Sequence, residues 1–166
     1  MCIRDSLCAK RAVGNDPFAV ILADDFIVSE EKGVTSDLVS AFEKNSKIQL
    51  SVMEIFGSEI SNYGVVQYNP LNGKVEGLVE KPEENLAPSN SASIGRYVLT
   101  AEIFDILENQ TVGKGGEIQL ADAINILAKE NKVETVKLKG NRFDCGSVKG
   151  YLAGINFVAN KLKINN

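Results

Sequence analysis

Glu80 and Lys81 close the run Val75-Glu76-Gly77-Leu78-Val79, and Pro82 stops the strand behind them. A carboxylate beside an ammonium at a strand's C-terminal end can accept hydrogen bonds from hydroxyls and offer a point cation to a phosphate. By itself the pair is ordinary surface chemistry, and its weight comes from what stands elsewhere. Asp24 and Asp25 end an apolar run over residues 18–23, and in open α/β sheets ligands collect beyond the carboxyl ends of strands. Mg²⁺ is held by one or two carboxylates together with substrate phosphates and water, so this is a place for a metal carboxylate. A turn or a helix N-cap explains the same pair equally well.

Composition narrows the chemistry further. The chain has no histidine, so Ser–His and Cys–His nucleophile arrangements cannot be assembled from it. A reaction that asks only for positioning and charge fits better. Cys2, Cys8 and Cys145 show no Cys-x-x-Cys spacing, which argues against structural zinc and suits free thiols in a reducing cytoplasm. A net charge of −4 without a Lys/Arg cluster points away from nucleic acid. No apolar run approaches the ~20 residues that cross a bilayer, so no membrane partner is expected. At 166 residues and 44% hydrophobic content, one domain with a substantial core is the simplest expectation.

The elements that must position these residues follow from the patterning. Residues 18–23 read as a buried parallel strand. Ser36 is placed to cap a helix from Asp37 to about Lys44, followed by a strand over 48–55. Residues 63–68, a Pro/Asn/Gly turn and residues 74–80 read as a hairpin. A polar loop over 83–91 leads to a strand over 93–99, and Thr100 caps a helix carrying Ile103, Phe104 and Leu107. After a turn at Gly113–Gly116 comes a helix with Leu120, Ile124 and Leu127, then a strand from Val133. A closing helix from Val148 to about Lys161 is expected to turn Tyr151, Leu152, Ile155 and Val158 inward. Strands alternating with helices predict an α/β fold with a mainly parallel sheet.

Four blocks, in order, are Leu22-Ala23-Asp24-Asp25, Glu80-Lys81-Pro82, Gly115-Gly116-Glu117-Ile118-Gln119-Leu120 and Arg142-Phe143-Asp144-Cys145-Gly146. Together they resemble the bacterial UTP–glucose-1-phosphate uridylyltransferases, the UDP-glucose pyrophosphorylases, and the likeness covers residues 7 to about 159. The resemblance implies a Rossmann-like sheet of the nucleotide-diphospho-sugar transferase type, with its first strand and Gly-rich loop missing here. It implies Mg²⁺ held by Asp24 and Asp144, with Asp25 in support and Asp24 and Lys81 acting in catalysis. Glu80, Gly64 and Glu117 would contact the sugar. Ser93-Ile94-Gly95-Arg96-Tyr97 also matches, and no role for Arg96 follows from the sequence. Residues 1–6 do not match and read as a leader foreign to the rest, with 7–166 as the sugar- and metal-binding part of a nucleotidyltransferase domain.

The implied reaction joins glucose 1-phosphate to UTP, giving UDP-glucose and pyrophosphate, in a cytoplasmic and homo-oligomeric full-length enzyme. Without the Gly-rich loop, the chain alone is expected to be inactive or nearly so. A thymidylyltransferase-type relative making dTDP-glucose and a non-catalytic sugar-phosphate-binding module are the alternatives. A dehydrogenase lacks support, since no Gly-x-Gly-x-x-Gly turn is present.

Overall fold

The computed structural model describes residues 3–29, 32–109 and 120–163. The elements are α1 (Ile3–Val13), β1 (Phe18–Ile21), β2 (Asp25–Val28), α2 (Val34–Asn45), β3 (Ile48–Glu54), β4 (Gly64–Tyr68), β5 (Val75–Glu80) and β6 (Ser91–Leu99). They continue as α3 (Glu102–Asn109), α4 (Leu120–Lys129), β7 (Val133–Lys137), β8 (Asn141–Asp144) and α5 (Val148–Lys161). Short 3-10 turns occupy Gly57–Asn62 and Glu84–Leu86.

The sheet is mixed and mostly antiparallel, which corrects the expectation of a mainly parallel one. Its path is β5-β4-β6-β3-β7, with β1 also paired to β6. Strand β6 is the pivot and runs against β1, β3 and β4; β4 and β5 form the expected antiparallel hairpin. Among the described residues only β3 and β7 pair in parallel. Ala92 of β6 pairs with both Met53 and Val65, and Tyr97 pairs with both Leu50 and Val20. Strands β4 and β1 therefore lie end to end along one edge of β6, with β3 on the other. Periodicity records which faces are buried and carries no strand direction, which is why the reversal of β6 escaped the sequence. The apolar run in β1 misled for the same reason: its exposure alternates, and Ile21 is 57% exposed.

Helices cover both faces. On one, Ile103, Phe104 and Leu107 of α3 and Ile124 and Leu127 of α4 pack on Leu50, Val66 and Leu99, and Phe104 stacks on Phe18 at 5.0 Å. On the other, Val34 and Leu38 of α2 meet Val98. Helix α2 begins at Val34 rather than Asp37, because extended Gly33 occupies the N-cap position and Ser36 falls inside the first turn. Strands β2 and β8 form a separate antiparallel ribbon that the sequence did not announce.

Helix α5 packs on that ribbon through a face rotated from the one expected, on which Val158 is half-buried one turn after Gly154. Gly154 is its buried residue, while Tyr151, Leu152 and Ile155 are exposed. A Cβ on Gly154 would stand 3.3 Å from Phe26 and 3.4 Å from Phe143, so the helix seats against two aromatic rings where its side chain is smallest. Phe157 continues this contact, its ring 5.1 Å from that of Phe143.

Asn125 fixes α4 to the sheet. Its amide accepts from the Leu78 N–H at 2.5 Å and donates to the Leu78 carbonyl at 3.0 Å, standing in for a neighbouring strand at the edge of β5. Asn125→Ala leaves both backbone groups of a buried residue without this partner. It is expected to cost about 1–2 kcal/mol in urea denaturation.

Candidate active site

A cavity of about 850 Å³ opens where the C-terminal end of β5, the start of β4, the middle of β6 and the β2–β8 ribbon meet. Asp24, Gly64, Glu80, Lys81 and Asp144 all line it, so the structure brings together every proposed site residue that lies among those described. Glu117 and the Gly113–Gly116 turn fall outside the described residues.

On the carboxylate side, β1 ends at Ile21 and the chain turns sharply into β2. The Leu22 N–H donates to the Gly95 carbonyl at 2.9 Å, and Asp25 N–H returns to the Leu22 carbonyl at 3.3 Å. A Cβ on Gly95 would lie 2.5 Å from Leu22 Cβ and 2.6 Å from Asp25 Oδ2, so this turn can rest on β6 only over a glycine. Asp25 and Asp144 then face each other across the ribbon, and the Cys145 N–H donates to the Asp24 carbonyl at 2.8 Å. The Asp24 and Asp144 carboxylates converge: a Cβ on Gly146 would meet Asp144 Oδ1 at 3.1 Å and Asp24 Oδ2 at 3.2 Å. Among the described residues no group of three or more potential ligands gathers anywhere. A pair of carboxylates with open space beside it suits a hard cation that keeps substrate and water ligands.

On the other side, Gly64 faces Glu80 in the β4–β5 ladder, and a Cβ on Gly64 would stand 3.0 Å from Glu80 Oε2. Lys81 follows in the left-handed region, with φ +46°. Its N–H still donates to the Tyr63 carbonyl at 3.0 Å, so the ladder continues while the chain swings away. Such a conformation costs a side-chain-bearing residue about 1 kcal/mol or more. It is the kind of local strain that gathers at working positions.

Between the two sides runs a polar network that the sequence did not resolve. Asp25, 5% exposed, accepts from the Gly95 N–H at 2.6 Å and from Arg142 Nε at 2.5 Å, and Arg142 Nη2 completes the ion pair. Arg142 Nη1 donates to the Tyr63 hydroxyl at 2.7 Å. Burial works against the Arg142 charge, yet the Asp25 carboxylate outweighs it and leaves the guanidinium pKa above the usual arginine value. Burial pushes the Tyr63 and Tyr97 phenols upward, so both remain protonated near neutral pH. Arg96 acquires a role as well: its guanidinium donates to the carbonyls of Leu22 (3.0 Å), Gly95 (2.9 Å) and Asp25 (2.6 Å), stapling the turn that presents Asp24. Lys149, at the start of α5, joins Lys81 and Arg142 as a third cation on the cavity wall. Arg142 stood within a recognised block, but the sequence offers no sign that its charge is buried.

The chain is similar to several known proteins. UTP–glucose-1-phosphate uridylyltransferases from Pseudomonas aeruginosa and Streptococcus pyogenes are each 43% identical to the chain over 155 residues, covering 91% and 88% of it. They are matched over 56% and 50% of their own lengths, so the chain spans about half the length of these curated relatives. A crystal structure of UDP-glucose pyrophosphorylase complexed with UDP-glucose superposes with a TM-score of 0.86 at 39% identity, over 94% of this chain and 61% of that one. The UTP-bound enzyme of Acinetobacter baumannii gives 0.80 at 35% identity, over 94% of this chain and 55% of its own. The family model for nucleotidyl transferases matches residues 6–161, taking in both the carboxylate side and the lysine side of the cavity, and the chain therefore belongs to the nucleotidyl transferase family.

Proposed function

We propose that this chain supplies the sugar-phosphate and Mg²⁺ side of a uridylyltransferase site that makes UDP-glucose and pyrophosphate from UTP and glucose 1-phosphate. The observation that carries the reading is the meeting of Asp24, Asp144, Glu80 and Lys81 around one cavity. Relatives sharing 35–43% of residues with the chain are uridylyltransferases by name. A glucose-1-phosphate thymidylyltransferase structure, at 20% identity and a TM-score of 0.75, speaks for the fold alone.

In this reading an oxygen of the sugar phosphate attacks the α-phosphorus of UTP in line. The new P–O bond forms as the bond to the β-phosphate bridging oxygen breaks, and pyrophosphate leaves with that electron pair. The attacking oxygen is already anionic, so no general base is needed and alignment with charge neutralisation carries the rate. That suits a chain without histidine. Lys81 neutralises the sugar phosphate as a point cation. Glu80 accepts hydrogen bonds from sugar hydroxyls, and Gly64 lets the ring approach the backbone. Asp24 and Asp144 would hold Mg²⁺, which when bound offsets phosphate charge. The cytoplasm is the proposed compartment, in keeping with the free thiols of Cys8 and Cys145.

Calorimetric titration of the chain with glucose 1-phosphate tests this. Binding is expected in the presence of Mg²⁺ and is expected to weaken when the metal is chelated. Lack of binding under both conditions would overturn the proposal. Asp24→Ala and Lys81→Ala, introduced at the matching positions of a full-length relative, are each expected to lower turnover by about 10²-fold or more. Near-normal turnover in either variant would refute the assigned role. Lys81→Gly separates chemistry from folding. It is expected to leave stability unchanged or raised by up to about 1 kcal/mol, because glycine relieves the left-handed backbone, while sugar-phosphate binding falls with the lost charge.

A further inference from the structure

Arg142 touches both sides of the cavity through other residues, and three of its five N–H donors are engaged in doing so. Its side chain is 11% exposed and that of Asp25 6%. Nε and Nη2 engage Asp25, and Nη1 engages the Tyr63 hydroxyl. On one side, Asp25 follows Asp24 directly and faces Asp144 across the ribbon. On the other, Tyr63 precedes Gly64, and its carbonyl receives the Lys81 N–H at 3.0 Å. Beyond Arg142 and its two partners, nothing more than a backbone step or a single backbone hydrogen bond separates the carboxylate pair from the lysine.

We propose that Arg142 is a positioning residue, a brace that holds the Asp24/Asp144 carboxylates and the Glu80–Lys81 strand end at a fixed spacing, so that a cation on one side and a sugar phosphate on the other reinforce each other's binding. The inference rests on the functional reading above. It assigns Arg142 a role exerted through Asp25 and Tyr63, the partners its Nε, Nη1 and Nη2 engage, rather than through contact with substrate. A planar fork can serve two acceptors in different directions, whereas a lysine ammonium at the same place is a single point donor. Tyr63 is the half of the brace that can be cut without unpairing a buried charge.

The test is a thermodynamic cycle on the whole chain. Glucose 1-phosphate affinity is measured by calorimetry with and without Mg²⁺, and the ratio of the two affinities is the coupling between the sides. In the unchanged chain the ratio is expected to be about tenfold, within the ordinary range for coupled sites. Tyr63→Phe keeps the ring and removes only the hydroxyl; the ratio is expected to fall to about threefold or less. Arg142→Lys is expected to lower it similarly, and the double variant to lose nothing further, because either change alone severs the brace. A merely structural role would shift stability and leave the ratio alone. Full coupling in Tyr63→Phe overturns the brace while leaving the proposed function standing. Failure of the unchanged chain to bind glucose 1-phosphate at all overturns both. Should Arg142→Lys fail to fold, the Tyr63→Phe ratio decides by itself.

Discussion

The Asp25 carboxylate and the Arg142 guanidinium sit almost entirely out of water at the junction of the main sheet, the β2–β8 ribbon and the β4–β5 hairpin. Taking two charges from water is expensive, and their mutual attraction repays it only where the remaining hydrogen bonds are also met. Here two more bonds support the pair: Gly95 donates to the second Asp25 oxygen, and Tyr63 accepts from Arg142 Nη1. Removing one partner of such a pair typically costs about 3–5 kcal/mol, because the other is left charged and buried. The pair joins β2 to β8, and the ribbon is tied to the sheet by the bonds around it: Gly95 N–H to Asp25, Arg142 to Tyr63, and Arg96 to the Leu22 and Asp25 carbonyls. The placement of Asp24 and Asp144 follows from this joint network.

Around that fixed point the backbone accepts poor local conformations. Lys81 lies in the left-handed region without being glycine, and the turn over residues 22–25 is pressed against β6 with no room for a Cβ at Gly95. Arg96 offsets the crowding by taking three carbonyls of the turn and its neighbour. Such strain persists because the surrounding ladder over-determines it: the Lys81 N–H keeps its bond to Tyr63 even as the chain turns out of the strand. The proposed transfer asks for alignment more than proton transfer, and for it a chain with no histidine gains from rigid placement of its charges.

Much of the architecture was legible in the residues themselves. The hairpin of β4 and β5, the strands β3, β6 and β7, and helices α3, α4 and α5 stand where alternation, turn residues and helical spacing placed them. Of the charged residues that suggested phosphate and sugar chemistry, those among the described residues, Asp24, Glu80, Lys81 and Asp144, come to line a single cavity. These features are local: a strand end, a Pro stop or an apolar stripe is written within a few residues of itself.

Direction and partnership are not local, and only the folded chain decided them. The reversal of β6 depends on which edges meet in space, so a mixed sheet replaced the parallel one that the run of residues suggested. The face that α5 buries was set by the two phenylalanines of the ribbon, which select Gly154 over the larger Tyr151, Leu152 and Ile155. The roles of Arg96 and Arg142 arise from partners more than seventy positions away in the sequence. Burial of a charge is a property of the whole packing, and no spacing of residue types encodes it.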